Sequence, residues 1–286
     1  MAFDWTAPSA SPLVIAHRGG ALLATENTAA AFSAARGAGA HAIETDVRRT
    51  ADGALVCVHD ADLMRLAGDP RSVSALTFQE LRASLPEVMM LDEALTASET
   101  MGVLLDVKTT DSAILAPIMA VLAEGEAIER TMLGLRELSL IEAARMRSEA
   151  VNILAFLEDC DAAREACDAG ANWFRLWEGD ATGQRAEAVR AAGLHLAVMV
   201  GQPRAQPLPD EYPPFPVGHI DAAGLAALAA IRPDAILLDD PRLVPNLQVS
   251  GLQVPQREVP NSRARRGGSD RFKSSPLSPP ALHDPT

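Results

Sequence analysis

The chain has 286 residues and a formal net charge of −13; 48% of its residues are hydrophobic, yet aromatics supply only 4%. That length suits one large α/β domain whose core is built from Ala, Leu, Val and Ile. The acidic balance argues against a sequence-independent grip on nucleic acid, which depends on clustered Lys and Arg, and favours a small diffusible ligand. Three cysteines, Cys57, Cys160 and Cys167, are too few and too scattered for a disulfide framework and form no Cys-x-x-Cys pair. The N-terminal stretch "MAFDWTAPSASPLVIAHRGG" lacks the basic and long apolar regions of a signal peptide, so the expected compartment is a reducing cytoplasm. No run approaches the ~18 apolar residues of a membrane span.

In chain order, eight short apolar runs recur: "LVIAH", "AIETDV", "GVLLDVK", "TMLGL", "NILAFL", "WFRLW", "LHLAVMV" and "AILLDD". Ala-rich amphipathic segments such as "NTAAAFSAARGAGA" and "QRAEAVRAAG" separate them, the pattern of βα repeats. Gly37, Gly39, Gly170 and Gly193 fall where helices should stop in left-handed C-caps. The spacing predicts a (β/α)₈ TIM barrel over residues 1–245; no Gly-x-Gly-x-x-Gly loop supports a doubly wound nucleotide fold.

The rhythm breaks after the second run, where an insertion over about residues 48–90 is expected. "RRTADGALVCVHD" reads as a hairpin turning at Asp52-Gly53, "LTFQELRASL" as a short helix, and "LDEALTAS" as the returning barrel helix. Such an insertion would sit over the barrel mouth, where barrel enzymes keep their chemistry. From Asn246 to Thr286 the composition shifts to Pro, Ser, Arg and Gly with few aliphatics, which reads as a disordered tail.

Several polar residues sit where apolar ones would be expected. Glu44 and Asp46 lie two apart on a predicted strand, so both carboxylates share one face. The plain alternative is that both point outward into solvent, with Ile43 and Val47 as the buried set. Because a parallel barrel strand is covered by helices outside, the pair is expected instead at the barrel rim, as hard oxygen ligands for a divalent cation such as Mg²⁺ or Ca²⁺. Asp106 and Lys108 repeat the spacing on the next strand, where a surface ion pair is the plain alternative. His17 and His59 end strands on either side of this cluster, and imidazoles can give and accept protons near neutrality. Arg18 adds a fork suited to phosphate oxygens. Together these groups suit metal-assisted attack on a phosphodiester. His41 and His195 open strands, and His219 and His283 fall in loop and tail; all four are expected to be structural or solvated.

The ordered set "HRG" at His17–Gly19, "ENT" at Glu26–Thr28, "IETDV" at Ile43–Val47, "DG" at Asp52–Gly53, "HD" at His59–Asp60 and "LLDD-P" at Leu237–Pro241 resembles the glycerophosphodiester phosphodiesterase family. The resemblance implies a (β/α)₈ barrel that hydrolyses glycerophosphodiesters to sn-glycerol 3-phosphate and an alcohol with a divalent cation. It implies Glu44, Asp46 and Asp106 as metal ligands, His17 and His59 as the acid/base pair, and Arg18 and Lys108 as phosphate holders. Glu26 and Asn27 would order the loop after the first strand, Glu26 by pairing with Arg18 or supporting the metal. The family usually carries Glu where this chain has Asp106. The Asp-x-Lys pair is also similar to that of sphingomyelinase D-type phospholipases, which leaves lysophospholipase D or sphingomyelinase D activity as an alternative. A non-catalytic phosphodiester-binding module is a third reading. Trp173 and Trp177 suit either the alcohol side of the pocket or core packing.

Overall fold

The computed structural model of the chain describes residues 3–7, 11–203 and 215–244. Eight parallel strands form a closed barrel: β1 (Leu13–Ala16), β2 (Ala42–Arg49), β3 (Gly102–Val107), β4 (Thr131–Leu135), β5 (Asn152–Ala155), β6 (Trp173–Trp177), β7 (His195–Met199) and β8 (Ala235–Leu238). Closure is direct, because β1 pairs with β8 from Leu13↔Ala235 to Ala16↔Leu238 and with β2 at Ile15↔Ala42. These are the eight apolar runs of the sequence, and their β-branched and Leu-rich content follows from burial on both faces.

Seven helices return the chain between them: α1 (Ala29–Gly37), α2 (Leu91–Ala97), α3 (Leu115–Glu124), α4 (Leu138–Arg147), α5 (Ala163–Asp168), α6 (Gly183–Ala191) and α7 (Ala222–Ile231). Side chains that accept hydrogen bonds from the first turn begin several of them, as Thr28, Thr182 and Asp221 do. The outward strand residues, such as Val14, Ile43, Val103, Leu105 and Phe174, pack against these helices in one continuous cluster. Of the four glycines expected as left-handed stops, Gly39, Gly170 and Gly193 adopt positive φ. Gly37 does not: it is the last residue of α1, and Gly39 makes the turn, its N–H donating to the Arg36 carbonyl at 3.0 Å.

Between β2 and α2 the chain builds a small body of its own. A short strand, Leu55–Cys57, runs back antiparallel along β2 in the register Val47↔Cys57, with Gly53 at φ 89° in the connecting turn. A two-stranded ribbon (Asp62–Leu63 with Asp69–Ser72) and a helix over Phe78–Ser84 follow. That helix opens with a reciprocal cap between Thr77 and Glu80. Val56, Val58, Leu63, Val73, Leu76, Leu81 and Val88 form the body's separate apolar core.

The inside of the barrel is filled at its lower end by Ile15, Ala42, Leu104, Met132, Leu154, Trp173, Ala197 and Ala235. The N-terminal segment seals this floor. Trp5 is 2% exposed, meets Trp173 edge to face at 6.3 Å, and donates its indole N–H to the Arg130 carbonyl at 3.0 Å. Phe3 packs so closely over Gly102 that any β-carbon there would overlap its ring. Among the described residues no helix is long and apolar enough to cross a membrane. Residues 246–286, expected as a tail, lie outside the described residues.

Candidate active site at the barrel mouth

The inward-facing positions of a barrel strand recur every second residue, so the apolar floor predicts which residues form the layer above it. Two residues beyond Ile15, Ala42, Leu104, Leu154, Trp173 and Leu237 stand His17, Glu44, Asp106, Phe156, Arg175 and Asp239. One period further, Asp46 lies directly across from Asp106 in the β2–β3 register. The change from apolar to titratable along the inward face of β1, β2, β3, β6 and β8 is what creates the site.

Glu44, Asp46 and Asp106 are all buried, and one carboxylate oxygen of each lies within 4.8 Å of the others. Three like charges so close require cations. Lys108 Nζ lies 2.8 Å from Asp46 Oδ1 and is also paired with Asp106 Oδ2. Arg136, just after β4, brings Nη2 to 2.5 Å from the same Asp106 oxygen. Arg18 Nε stands 3.8 Å from Asp46 Oδ2. Even so, Asp106 Oδ1 is buried with no hydrogen-bond partner, and Asp46 Oδ1 meets Lys108 alone among the described residues. Hard, under-satisfied carboxylate oxygens at this spacing fit a divalent cation such as Mg²⁺ or Ca²⁺. Burial, with the Asp46 charge beside it, pushes the Glu44 carboxyl up to about 7. Burial opposes the Asp46 charge too, but Lys108, His59 and Arg18 hold that carboxyl well below the usual carboxylate range.

The loop after β1 is shaped by backbone that few residues adopt. Arg18 takes φ 50° and ψ 33°, and Asn27 takes φ 57°. Each left-handed non-glycine residue costs about 1–3 kcal/mol, which surrounding contacts must offset. They do so here: the Arg18 N–H donates to Glu44 Oε2 at 2.7 Å, and the Asn27 N–H donates to the Arg18 carbonyl at 2.9 Å. The Asn27 side chain bridges β2, donating to Asp46 Oδ2 at 2.8 Å and accepting from the Thr45 hydroxyl at 2.7 Å. Glu26 accepts from Arg18 Nη1 at 3.1 and 3.2 Å and from Arg65 of the insertion at 2.5 and 3.1 Å. Glu26 therefore pairs with Arg18, as expected, and also ties the loop to the insertion.

The two histidines occupy different environments. His17 is 8% exposed, with Nδ1 2.6 Å from Asp239 Oδ1 and Nε2 4.0 Å from Glu44. Burial works against its charge, yet the Asp239 hydrogen bond and the Glu44 and Asp239 charges together raise its pKa. His59 stands two residues beyond the antiparallel strand of the insertion; its Nδ1 meets Asp60 at 2.7 Å, and its carbonyl accepts from Arg48 at 2.8 and 2.9 Å. Burial above all, helped by Lys108 and Arg18, lowers its pKa. Two imidazoles tuned in opposite directions at one site suit an acid and a base.

A family model described as the glycerophosphoryl diester phosphodiesterase family matches residues 17–153, the stretch that holds the three carboxylates, both histidines, Arg18, Lys108 and Arg136, but not Phe156, Arg175 or Asp239. Over that stretch, just under half of its length, the chain is similar to that family. A Mycobacterium tuberculosis protein named "Probable glycerophosphodiester phosphodiesterase 1" is 46% identical over 71 residues, 25% of this chain and 26% of its own length. The chain thus matches only about a quarter of that relative. Among solved structures, a glycerophosphodiester phosphodiesterase from Agrobacterium tumefaciens aligns at TM-score 0.66 and 23% identity, covering 82% of this chain and 99% of its own. An Oleispira antarctica phosphodiesterase, solved with the product sn-glycerol-3-phosphate, aligns at TM-score 0.67 and 19% identity, covering 82% and 96%. Both share the barrel fold.

All nine residues singled out from the sequence as the family's site meet at one end of the barrel: His17, Arg18, Glu26, Asn27, Glu44, Asp46, His59, Asp106 and Lys108. Among the ionic residues of this site that the family motifs left without a role are Asp239 and Arg136. Asp239 lay within the quoted "LLDD-P", at a strand end, and Arg136 follows "TMLGL" at the same point of β4. A charge immediately after a barrel strand was the available signal in both cases. His219, expected in a solvated loop, brings Nε2 to 3.5 Å from Asp239 Oδ2. His41 is structural, its Nδ1 accepting from the Val14 N–H at 3.0 Å. Trp173 is core, whereas Trp177 is half-buried with the Arg175 guanidinium 4.6 Å from its ring.

Proposed function

We propose that the chain hydrolyses glycerophosphodiesters to sn-glycerol 3-phosphate and an alcohol, using Mg²⁺ or Ca²⁺ held by Glu44, Asp46 and Asp106. The observation that carries this reading is the convergence of three buried carboxylates with two oppositely tuned histidines at the catalytic end of the barrel. The free thiols of Cys57, Cys160 and Cys167 agree with a cytoplasmic enzyme. A divalent cation held by these carboxylates would supply positive charge to stabilise the phosphoryl group.

The protein's own groups do the rest. Arg18 and Lys108 are fixed cations at the rim that hold the phosphodiester and stabilise the charge it gains in the transition state. His59, with its lowered pKa, accepts the proton of the attacking hydroxyl. His17, held protonated by Asp239, donates to the leaving alcohol. With the neighbouring glycerol hydroxyl as nucleophile, the first step gives a cyclic phosphate and the free alcohol. Water then opens the ring with the histidines in exchanged roles.

The test is release of sn-glycerol 3-phosphate from glycerophosphocholine and glycerophosphoethanolamine by purified protein, with EDTA and with Mg²⁺, Mn²⁺ or Ca²⁺ restored. Release that stops with EDTA and returns with a metal is expected. No release with any metal from folded protein would overturn the assignment and direct the assay to lysophospholipids and sphingomyelin, which the Asp106-x-Lys108 pair also suits.

A further inference from the structure

Arg136 was placed at the site by the fold rather than by any motif. Its guanidinium reaches Asp106 Oδ2, the oxygen that Lys108 also holds, and the arrangement depends on its neighbours. Gly134 lies opposite Asp106 in the β3–β4 register and has no side chain to intervene. A β-carbon at Gly134 would lie 2.9 Å from the Phe156 ring, so the ring covers the position from the next strand. The same ring stands 5.5 Å from the Arg136 guanidinium and 5.3 Å from that of Arg175.

The charges around the carboxylates explain why this matters. Glu44, Asp46 and Asp106 carry at most three negative charges, and Lys108, Arg136 and Arg18 already stand against them with three fixed positive ones. A divalent cation therefore enters a site whose carboxylates already have cationic partners, and adds positive charge to it. Lys108 is buried between two carboxylates, and Arg18 is held by Glu26. Arg136 differs: its side chain is 39% exposed, and among the described residues its carboxylate contact is with the ligand Asp106. It is the cation with room to leave.

We propose that Arg136 competes with the divalent cation for Asp106 and transfers to the phosphodiester when the metal binds, so that metal and substrate bind cooperatively. The anion then offsets the excess charge the metal introduces, and Arg136 exchanges a carboxylate partner for a phosphate one, for which its planar fork is equally suited. Thermodynamic reciprocity requires that the phosphate-bearing ligand tighten the metal by the same factor as the metal tightens that ligand. The inference rests on the phosphodiesterase reading of the site, but it can fail alone.

The experiment is calorimetric titration of Mn²⁺ into the metal-free full-length protein, with and without sn-glycerol 3-phosphate, for wild type, Arg136→Gln and Arg136→Lys. Thermal melting establishes that each variant is folded. In wild type, sn-glycerol 3-phosphate is expected to tighten Mn²⁺ by about tenfold, within the ordinary range of coupling. Arg136→Gln should bind Mn²⁺ alone severalfold more tightly than wild type and lose most of that coupling, while Arg136→Lys, which keeps the charge, should stay near wild type. Equal or weaker Mn²⁺ binding by Arg136→Gln would overturn the proposal, because it would make Arg136 a support of Asp106 or a bystander. If wild type binds no divalent cation under either condition, the phosphodiesterase reading itself falls.

Discussion

Asp239 controls one residue and, through it, one proton. Its carboxylate fixes which nitrogen of His17 faces the site and raises the histidine's pKa. Asp239→Asn should lower kcat by about a hundredfold or more, the scale on which a positioned acid contributes. The same change removes a contribution that raises the pKa. If His17 acts as the acid, the alkaline limb of the kcat/KM profile must therefore move to lower pH. A profile that keeps its alkaline limb while kcat falls would take the acid role away from His17. Glu44 gives a second test of sign. Its raised value, about 7, means that the folded protein holds a proton there which the unfolded chain, with an ordinary carboxyl, releases at lower pH. Metal-free stability should thus decline as pH rises between the two values, and metal binding should expel that proton. Mn²⁺ affinity is expected to weaken by up to about tenfold per pH unit below 7, with proton release detectable in buffers of different ionisation enthalpy. Affinity that stays flat between pH 8 and 6 would refute the assignment of Glu44 as a ligand that must lose a proton.

At the scale of elements, the insertion is what delivers His59. Nothing in the strand rhythm of a barrel supplies a residue at that position; an antiparallel strand folded back along β2 does so, and Arg48 of β2 clamps the His59 carbonyl. Arg65 then joins the insertion to the β1 loop through Glu26 and to Asp60, the partner of His59. Arg65 is half exposed, so its ion pairs add little to global stability. Arg65→Ala should leave the melting temperature within a few degrees of wild type, as expected for a loss below about 1 kcal/mol, yet lower kcat/KM by about tenfold. A variant with wild-type kinetics would mean that Arg48 and Asp60 alone hold His59. The hairpin, the helix over Phe78–Ser84 and the eight strands were legible because each has a local signal: period, turn residue or cap. The clamp between the loops was not, because Glu26 and Arg65 are 39 residues apart and nothing local couples an acid to a base at that separation. Asp239 and His17, 222 residues apart, meet only because β8 closes on β1.

For the molecule as a whole, chemistry and stability occupy opposite ends of one barrel. The mouth holds buried like charges and two left-handed non-glycine residues, features that cost folding free energy. The floor is apolar, and its cover comes from residues 3–7, which no strand pattern marked as structural. Trp5 completes that floor: it is 2% exposed, packed on Trp173 and Phe3, with its indole N–H satisfied by Arg130. Arg130 is in turn fixed by the Ser98 hydroxyl and by the carbonyls of Leu95 and Met101, so the plug is fastened to α2 and β3 and not merely laid on the barrel. Removing the indole leaves a void under the barrel core that close-packed neighbours cannot collapse to fill, at a cost of about 3–5 kcal/mol. Trp5→Ala should therefore lower the urea midpoint sharply at an unchanged slope. Its kcat at a temperature where the variant remains folded should equal that of wild type, since the mouth lies at the other end of the strands. An unchanged midpoint would show that the barrel is closed without its N-terminal plug; a midpoint and a kcat that fall together would show that floor and mouth are not independent.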